Sequence, residues 1–550
     1  CKTVVWLARD NKDEVKSCWD WTNGHWYGGP GEVDPQWPLD KHPGHADTPA
    51  ITGALGGRSF SFNSRFWLNS NGFSISVPPE VPLYIAIDPP NPTTNIRRLC
   101  LVSKIPKDGP FYHWMRGRPH HLTYSECYAN EVTNLTQFYV DIRPSLFQLA
   151  RNLPDTSYLT APVWSTWPGL RNKLDFSTLD EFVNHIRRNG TTRTVLRVGR
   201  GWESCLGEFH FSSTSFPDPK QTMDRVKSMG FNVLLRAHPF LAQKCAALYR
   251  EAYDRSFLMK SAYAPAVNKM EDEMAANIDF SETIPGGAAE WWRDRLQQVR
   301  KSSGVHGFYF EYGQAYYLGD DARLEVNPND YSRNYAETAS HLGNMGSVAV
   351  GVGSSRLSMF AEMQKRSMST WDAAGIKGVI PGVLQMGLSG YPFVLADPIG
   401  GGDAEQRPEP KLYVRWLQLA TFLPSMHFSW DFWSYDNATL EIAKSMIKLR
   451  STYSDTIVNL AKTAAETGIP MVRPLWWIAP NDARALQVDD QFLLGNDILV
   501  APIVTEKDER DVYIPNGKWN DMVTNRPVAG PKVINAKVAL GQLLYFTRIK

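Results

Sequence analysis

From about residue 155 to 455 the chain repeats one pattern: a short apolar run, a break, then an amphipathic stretch. Val163-Trp-Ser-Thr-Trp, Thr194-Val-Leu-Arg-Val, Phe231-Asn-Val-Leu-Leu, Gly307-Phe-Tyr-Phe and Ser347-Val-Ala-Val-Gly read as strands. The segments 179–188, 219–229, 245–256, 288–302 and 335–342 read as helices between them. A helix joining two strands must carry the chain back across the sheet, so such strands run parallel. Roughly 300 residues of these units suit a (β/α)8 TIM barrel with insertions. Residues 1–154 lack the period. Short alternating runs such as Phe60-Ser-Phe-Asn and Phe73-Ser-Ile-Ser-Val, split by Gly, Pro and Asn, predict an N-terminal β-sandwich without helices. Residues 456–550 return to strand patterns at Gln491-Phe-Leu-Leu, Ile498-Leu-Val-Ala and Val512-Tyr-Ile-Pro, predicting a C-terminal β domain, also a sandwich. Three domains agree with a chain of 550 residues, too long for one core.

With 58 basic and 57 acidic residues, the net charge of +1 argues against a nucleic-acid binder. No apolar run approaches the roughly 18 residues of a membrane helix. The chain opens at Cys1 with neither Met nor signal peptide, which reads as a processed ectodomain. Its cysteines, Cys1, Cys18, Cys100, Cys127, Cys205 and Cys245, form no CxxC pair, so no metal site is expected. Sequons at Asn134, Asn189 and Asn437 favour disulfides and a secreted protein or one of the secretory-pathway lumen. Buried free thiols are the alternative. Cys1–Cys18 and Cys100–Cys127 are the pairs expected, each joining neighbouring strand-like segments; Cys205 and Cys245 are left unassigned.

A barrel keeps its active site at the C-terminal ends of its strands. Reading past each strand gives Trp164 and Trp167, Arg200 and Glu203, Arg236 and His238, Glu311, Arg366 and Trp371, then Asp397. This mouth is rich in Trp, Tyr and Arg and reads as poor in acids. Aromatic faces stack on sugars, although any one of these rings can equally fill a barrel layer.

The run Gly387-Leu-Ser-Gly-Tyr-Pro-Phe-Val-Leu-Ala-Asp397 resembles the signature loop of glycoside hydrolase family 31. Trp416-Leu-Gln-Leu-Ala-Thr-Phe-Leu-Pro424, followed by His427, is similar to that family too. So are Phe492-Leu-Leu-Gly-Asn-Asp-Ile-Leu-Val-Ala-Pro502 and Val512-Tyr-Ile-Pro-Asn-Gly-Lys-Trp519. The likeness spans nearly the whole chain, Gly24-His-Trp-Tyr-Gly-Gly29 and Arg473-Pro-Leu-Trp-Trp-Ile-Ala-Pro480 included. It implies a retaining exo-α-glycosidase, nearest to an α-galactosidase type, needing no cofactor and two carboxyl groups about 5–5.5 Å apart. The family's nucleophilic aspartate falls on Glu311, whose extra methylene moves the carboxylate by about an ångström, a change worth on the order of a hundredfold in rate. The acid/base aspartate, five residues before Trp371, falls on Arg366, which cannot exchange a proton in that role. The family's sugar-holding acid pair falls on Gly199 and Arg200, and the tryptophan before His-Pro-Phe on Arg236.

Sugar contacts are then assigned to Trp164, Trp167, Arg200, Arg236, Asp397, Trp416 and His427. Asp397 and His427 are equally readable as packed loop residues. Two functions follow. One is a silent homologue that binds a carbohydrate, an anionic sugar or another anion in an arginine-lined pocket, or a protein partner or second copy on its outer surface. The other is a working α-galactosidase or α-glucosidase in which Glu311 attacks and Asp372 or Glu203 supplies the proton.

Overall fold

The structure is a computed structural model. It describes all residues except 11–13, 33, 56–57, 61, 90–92, 94–95, 106–110, 119, 131–133, 151, 191–193, 262–263, 319–321, 325, 367 and 550. Ser61, Ser367 and the sequon residue Thr191 therefore lie outside the described residues.

The N-terminal region is a sandwich of a five-stranded and a four-stranded antiparallel sheet. Trp26, Trp67, Ile75, Leu83, Ile85, Leu99 and Leu101 fill the space between them, as expected where alternate residues point inward. Strand pairing corrects the expected disulfides. Val15–Asp20 runs antiparallel to Arg98–Ser103, with Cys18 directly opposite Cys100. Lys2–Leu7 pairs with His121–Tyr128, which brings Cys1 beside Cys127. The bonds are thus Cys1–Cys127, Cys18–Cys100 and Cys205–Cys245. The strands after Cys1 and around Cys18, though adjacent in sequence, lie in different sheets. A second correction is a helix, Leu135–Leu146, where the sequence showed none. Asn134 caps it, its side chain accepting from Gln137 N at 2.9 Å.

The barrel is an eight-stranded, all-parallel sheet. Its strands are β1 (Val163–Ser165), β2 (Thr194–Val198), β3 (Phe231–Ala237), β4 (Gly307–Phe310), β5 (Ser347–Val348), β6 (Phe360–Glu362), β7 (Val394–Leu395) and β8 (His427–Phe428). β8 pairs with β1, and the bridge Ile399–Phe428 closes the ring towards β7. Helix α1 (Phe176–Arg188) shows why the crossovers form. Asp175 and Thr178 make a capping box, and Leu179, Val183 and Ile186 are buried at helical spacing. Each buried side chain there contributes about 1.5–3 kcal/mol. The remaining crossovers are α2 (Pro219–Ser228), α3 (Ala288–Ser303), α4 (Pro328–Ser340), α5 (Val379–Leu388) and α6 (Pro410–Ala420), and α7 (Asn437–Thr452) follows β8. Residues 349–359, between β5 and β6, run without a helix.

An insertion after β3 adds a three-stranded sheet: Phe240–Ala242 pairs with Glu273–Asn277, which pairs with Val267–Met270. Helix Ser454–Thr467 runs through the expected domain limit at 456. A six-stranded antiparallel sheet then follows from Val472. The sandwich is tied to the barrel by Gln385 of α5, whose Nε2 donates to the carbonyls of Gly28 (2.7 Å) and Pro30 (2.8 Å).

Candidate active site

The C-terminal ends of β2, β3, β4 and β6 bring charges of both signs into the mouth. From β2, Arg197 points inward and pairs with Glu362 of β6 at 2.7 Å. Its guanidinium lies 3.9 Å from the centre of the Tyr309 ring. From β3, Arg236 pairs with both Glu311 and Glu271. Beyond β4, Glu311 is 8% exposed, with one carboxylate oxygen held by Arg236 Nε and the other by Lys365 Nζ. Burial would raise its pKa, but Lys365 and Arg236 outweigh burial and hold it well below the usual carboxylate range. Burial disfavours the Lys365 ammonium, but Glu311, then Asp403 and Glu362, outweigh it and raise its pKa.

The backbone after Glu311 turns sharply. Tyr312 adopts φ +59° and Gly313 φ +89°. A side chain at 313 would collide with the Tyr335 ring, so glycine is required there. The turn aims the Tyr312 hydroxyl at Glu271, 3.2 Å away. Arg200 Nε lies 3.1 Å from Glu271, and its guanidinium covers Trp167 at 4.2 Å. Trp167 Nε1 donates to Asp403 at 3.2 Å. Two clefts flank Arg200. One, about 200 Å³, is bounded by Glu203, Arg236 and Glu271. The other, about 110 Å³, is bounded by Glu311, Tyr317, Glu362, Lys365 and Asp403. Both fall below the roughly 300 Å³ at which small-molecule pockets begin. Cavities of about 260 and 730 Å³ lie elsewhere and include none of Arg236, Glu311 and Lys365.

Of the residues expected here, Glu311, Arg200, Arg236 and Trp167 do converge. Arg366 does not. Its side chain is 1% exposed and donates to the Ala373 carbonyl at 2.9 Å, with Asp397 the foremost acid acting on it. The side chain that meets Glu311 belongs to the preceding residue, Lys365. Trp164 is 1% exposed and stacks on Phe428 at 4.4 Å, against Phe182 of α1. Trp416 is wholly buried within α6. Neither ring is exposed to the mouth. Asp397 accepts from the backbone of Arg366 (3.3 Å) and Gly402 (3.2 Å), pinning its own loop. Burial, with some help from Asp403, pushes it up to about 8.

His427 is 5% exposed and neither ring nitrogen has a partner among the described residues. Burial, then Arg197 and Lys365, drives its pKa well below the ordinary value, so it is neutral. Glu203 is engaged by His238 (3.2 Å) and by Phe209 N (2.9 Å). Asp372 is exposed and accepts from Thr370 Oγ1 at 2.6 Å. The expectation of a mouth poor in acids is also corrected. Glu271, Glu311, Glu362 and Asp403 face Arg197, Arg200, Arg236 and Lys365, so the arginine lining is neutralised. Asn134, Asn189 and Asn437 lie at helix ends, at the surface or half-buried. Among the described residues no cluster of three His, Cys, Asp or Glu could hold a metal ion.

At Gly199 a Cβ would sit 3.0 Å from Trp167 Cβ and 3.3 Å from Thr166 Oγ1. Restoring an acid with Gly199→Asp is expected to lower stability by about 1–2 kcal/mol through overpacking, read as a drop in melting temperature. An unchanged melting temperature would show that the neighbours give way freely.

An eight-stranded barrel carrying such a mouth between two β domains defines a protein of the glycoside-hydrolase type. Residues 163–460 match the TIM-barrel domain of glycosyl hydrolases family 31, and residues 468–549 match that family's C-terminal domain. The chain belongs to glycosyl hydrolase family 31. It is 31% identical to the myogenesis-regulating glycosidase of Mus musculus, over 95% of this chain and 74% of that protein. It is 26% identical to the SITS-binding protein of Tetronarce californica, over 100% of this chain and 78% of that protein. Its fold is like that of the Flavobacterium johnsoniae family 31 dextranase complexed with glucose, with TM-score 0.79 and 18% identity over 98% of this chain and 67% of that one.

Proposed function

We propose that this chain is a non-hydrolysing member of family 31 that binds a carbohydrate at the barrel mouth. The observation that carries this reading is the environment of Glu311. Both oxygens of the Glu311 carboxylate are engaged by cations, and one of those cations, Lys365, is the group that faces it. Two cations in contact with the carboxylate draw charge from it and weaken it as a nucleophile, and a retaining mechanism needs a carboxylic acid to protonate the leaving oxygen. Lys365, held charged by three carboxylates, is a poor proton donor at neutral pH. Arg366 turns away, so neither residue of this segment restores the acid. The SITS-binding relative is named for a ligand rather than a reaction, which suits the same reading.

Three disulfides and the absence, among the described residues, of a helix long and apolar enough to cross a membrane fit a secreted or lumenal protein. We place the protein in that compartment, carrying glycans at Asn134, Asn189 and Asn437, with its outer surface available to a protein partner or a second copy.

Purified protein is expected to release no aryl alcohol from nitrophenyl α-galactoside or α-glucoside between pH 4 and 8. A second reading rests on Asp403, an exposed carboxyl on the same cleft as Glu311. If it supplied the proton, turnover would appear and would vanish in both Glu311→Gln and Asp403→Asn. That result would overturn the non-hydrolysing reading.

A further inference from the structure

Glu271 comes from the inserted sheet, not from the barrel. It sits at the turn between Val267–Met270 and Glu273–Asn277, in the left-handed region at φ +57°. Its neighbours at the turn face solvent: the Asp272 side chain is fully exposed and that of Lys269 is 71% exposed. Glu271 instead reaches inward, its side chain 16% exposed. There it meets Arg236, Arg200 Nε at 3.1 Å and the Tyr312 hydroxyl at 3.2 Å. Two guanidinium groups and a phenol converging on one carboxylate is how proteins bind carboxylate or sulfate ligands. Here the carboxylate belongs to the protein.

The two arginines differ in what they would have left. Arg236 keeps Glu311 if Glu271 departs. Arg200 has no other carboxylate among the ion pairs of the described residues, and its side chain is 30% exposed to the 200 Å³ cleft. Losing Glu271 would therefore turn a neutral mouth into one with an excess positive charge at Arg200. It would also widen the cleft on the side of the hairpin, towards the size at which small-molecule pockets begin.

We infer that Arg200, Arg236 and Tyr312 form a subsite for the carboxylate or sulfate of an anionic sugar, and that Glu271 occupies it as a resident stand-in which such a ligand must displace. The inference rests on reading the mouth as a sugar cleft. Hydrolysis of a neutral glycoside would overturn the non-hydrolysing reading without altering the comparison below, which measures binding alone.

The test is calorimetric titration of methyl α-glucuronide, glucose 6-sulfate and methyl α-glucoside into the wild-type chain, Glu271→Ala and Glu271→Gln. Both variants are expected to bind at least one of the two anionic probes at least tenfold more tightly than the wild type, with no gain for the neutral glucoside. Which anionic probe gains more tells carboxylate from sulfate. Adding Arg200→Gln to either variant is expected to abolish the gain. Equal affinities in wild type and variants, or an equal gain for the neutral probe, would overturn the inference. Glu271→Gln keeps the size and the hydrogen-bonding reach of the side chain, so it remains a test if the alanine variant folds poorly.

Discussion

Glu311→Gln will destabilise this protein by about 3–5 kcal/mol, because it leaves the buried Arg236 and the largely buried Lys365 without their shared anion. Lys365 has no other ion pair among the described residues, and Arg236 would keep only Glu271. A glutamine amide can accept one hydrogen bond from either cation but carries no charge to offset them. The direction sets this chain apart from a working enzyme, where a catalytic carboxylate is kept at some cost to stability and its removal is generally neutral or favourable. The pH dependence follows from the depressed pKa of Glu311. A carboxylate depressed in the folded state contributes its full stability above the unfolded value of about 4.3, and loses it as pH falls through the folded value. Wild-type stability should therefore decline below about pH 4, and this part of the decline should be missing in the variant. Scanning calorimetry of both proteins at pH 7 and pH 3.5 checks both statements. A variant as stable as the wild type at pH 7 would mean that Glu311 is not the counter-ion of Arg236 and Lys365.

The same contacts show what a sequence can and cannot disclose. β2 and β4 coincide with the runs marked in the sequence, because Thr194–Val198 and Gly307–Phe310 are buried throughout and parallel strands read as continuous apolar runs. β7 and β8 span two residues each, too short to show any period. Glu311, Arg200 and Arg236 follow from reading past strand ends. Lys365 does not, since counting back from Trp371 selects Arg366, and only the backbone decides which of two adjacent cations faces inward. Glu271 carried no signal: it lies on the turn of an insertion, far from the end of any barrel strand, in a Glu-Asp-Glu run. Trp164 and Trp416 misled for the opposite reason. Trp416 stands in a motif the family shares and Trp164 at a strand end, but such positions also serve wall packing: Trp164 packs on Phe428 and Phe182, and Trp416 is wholly buried. The disulfides failed on topology, since pairing neighbours in sequence presupposes a meander and this sandwich is not one.

Arg450→Met is expected to cost about 4 kcal/mol, chiefly from buried carbonyls left without donors. Arg450 lies on α7 and is 2% exposed. Its guanidinium donates to the carbonyls of Leu159 (2.8 Å), Thr421 (3.0 Å), Leu423 (2.6 Å) and Pro424 (2.7 Å). Among the described residues no carboxylate pairs with it, and burial alone pulls its pKa down to about 9, so it stays charged at pH 7. These carbonyls belong to the segments that lead into β1 and β8. That seam has only two register pairs, Val163 with His427 and Trp164 with Phe428. The guanidinium therefore supplies much of the hydrogen bonding that joins the first strand to the last. A lysine offers three donors from a single point rather than a planar fork, so Arg450→Lys should recover only part of the loss. Hydrogen exchange distinguishes a seam from a general weakening: amides of 163–165 and 427–428 should lose protection in Arg450→Met before those of β2 and β3. Uniform loss across the barrel, or a cost below 1 kcal/mol, would show that the ring is held closed by packing of α6 and α7 instead.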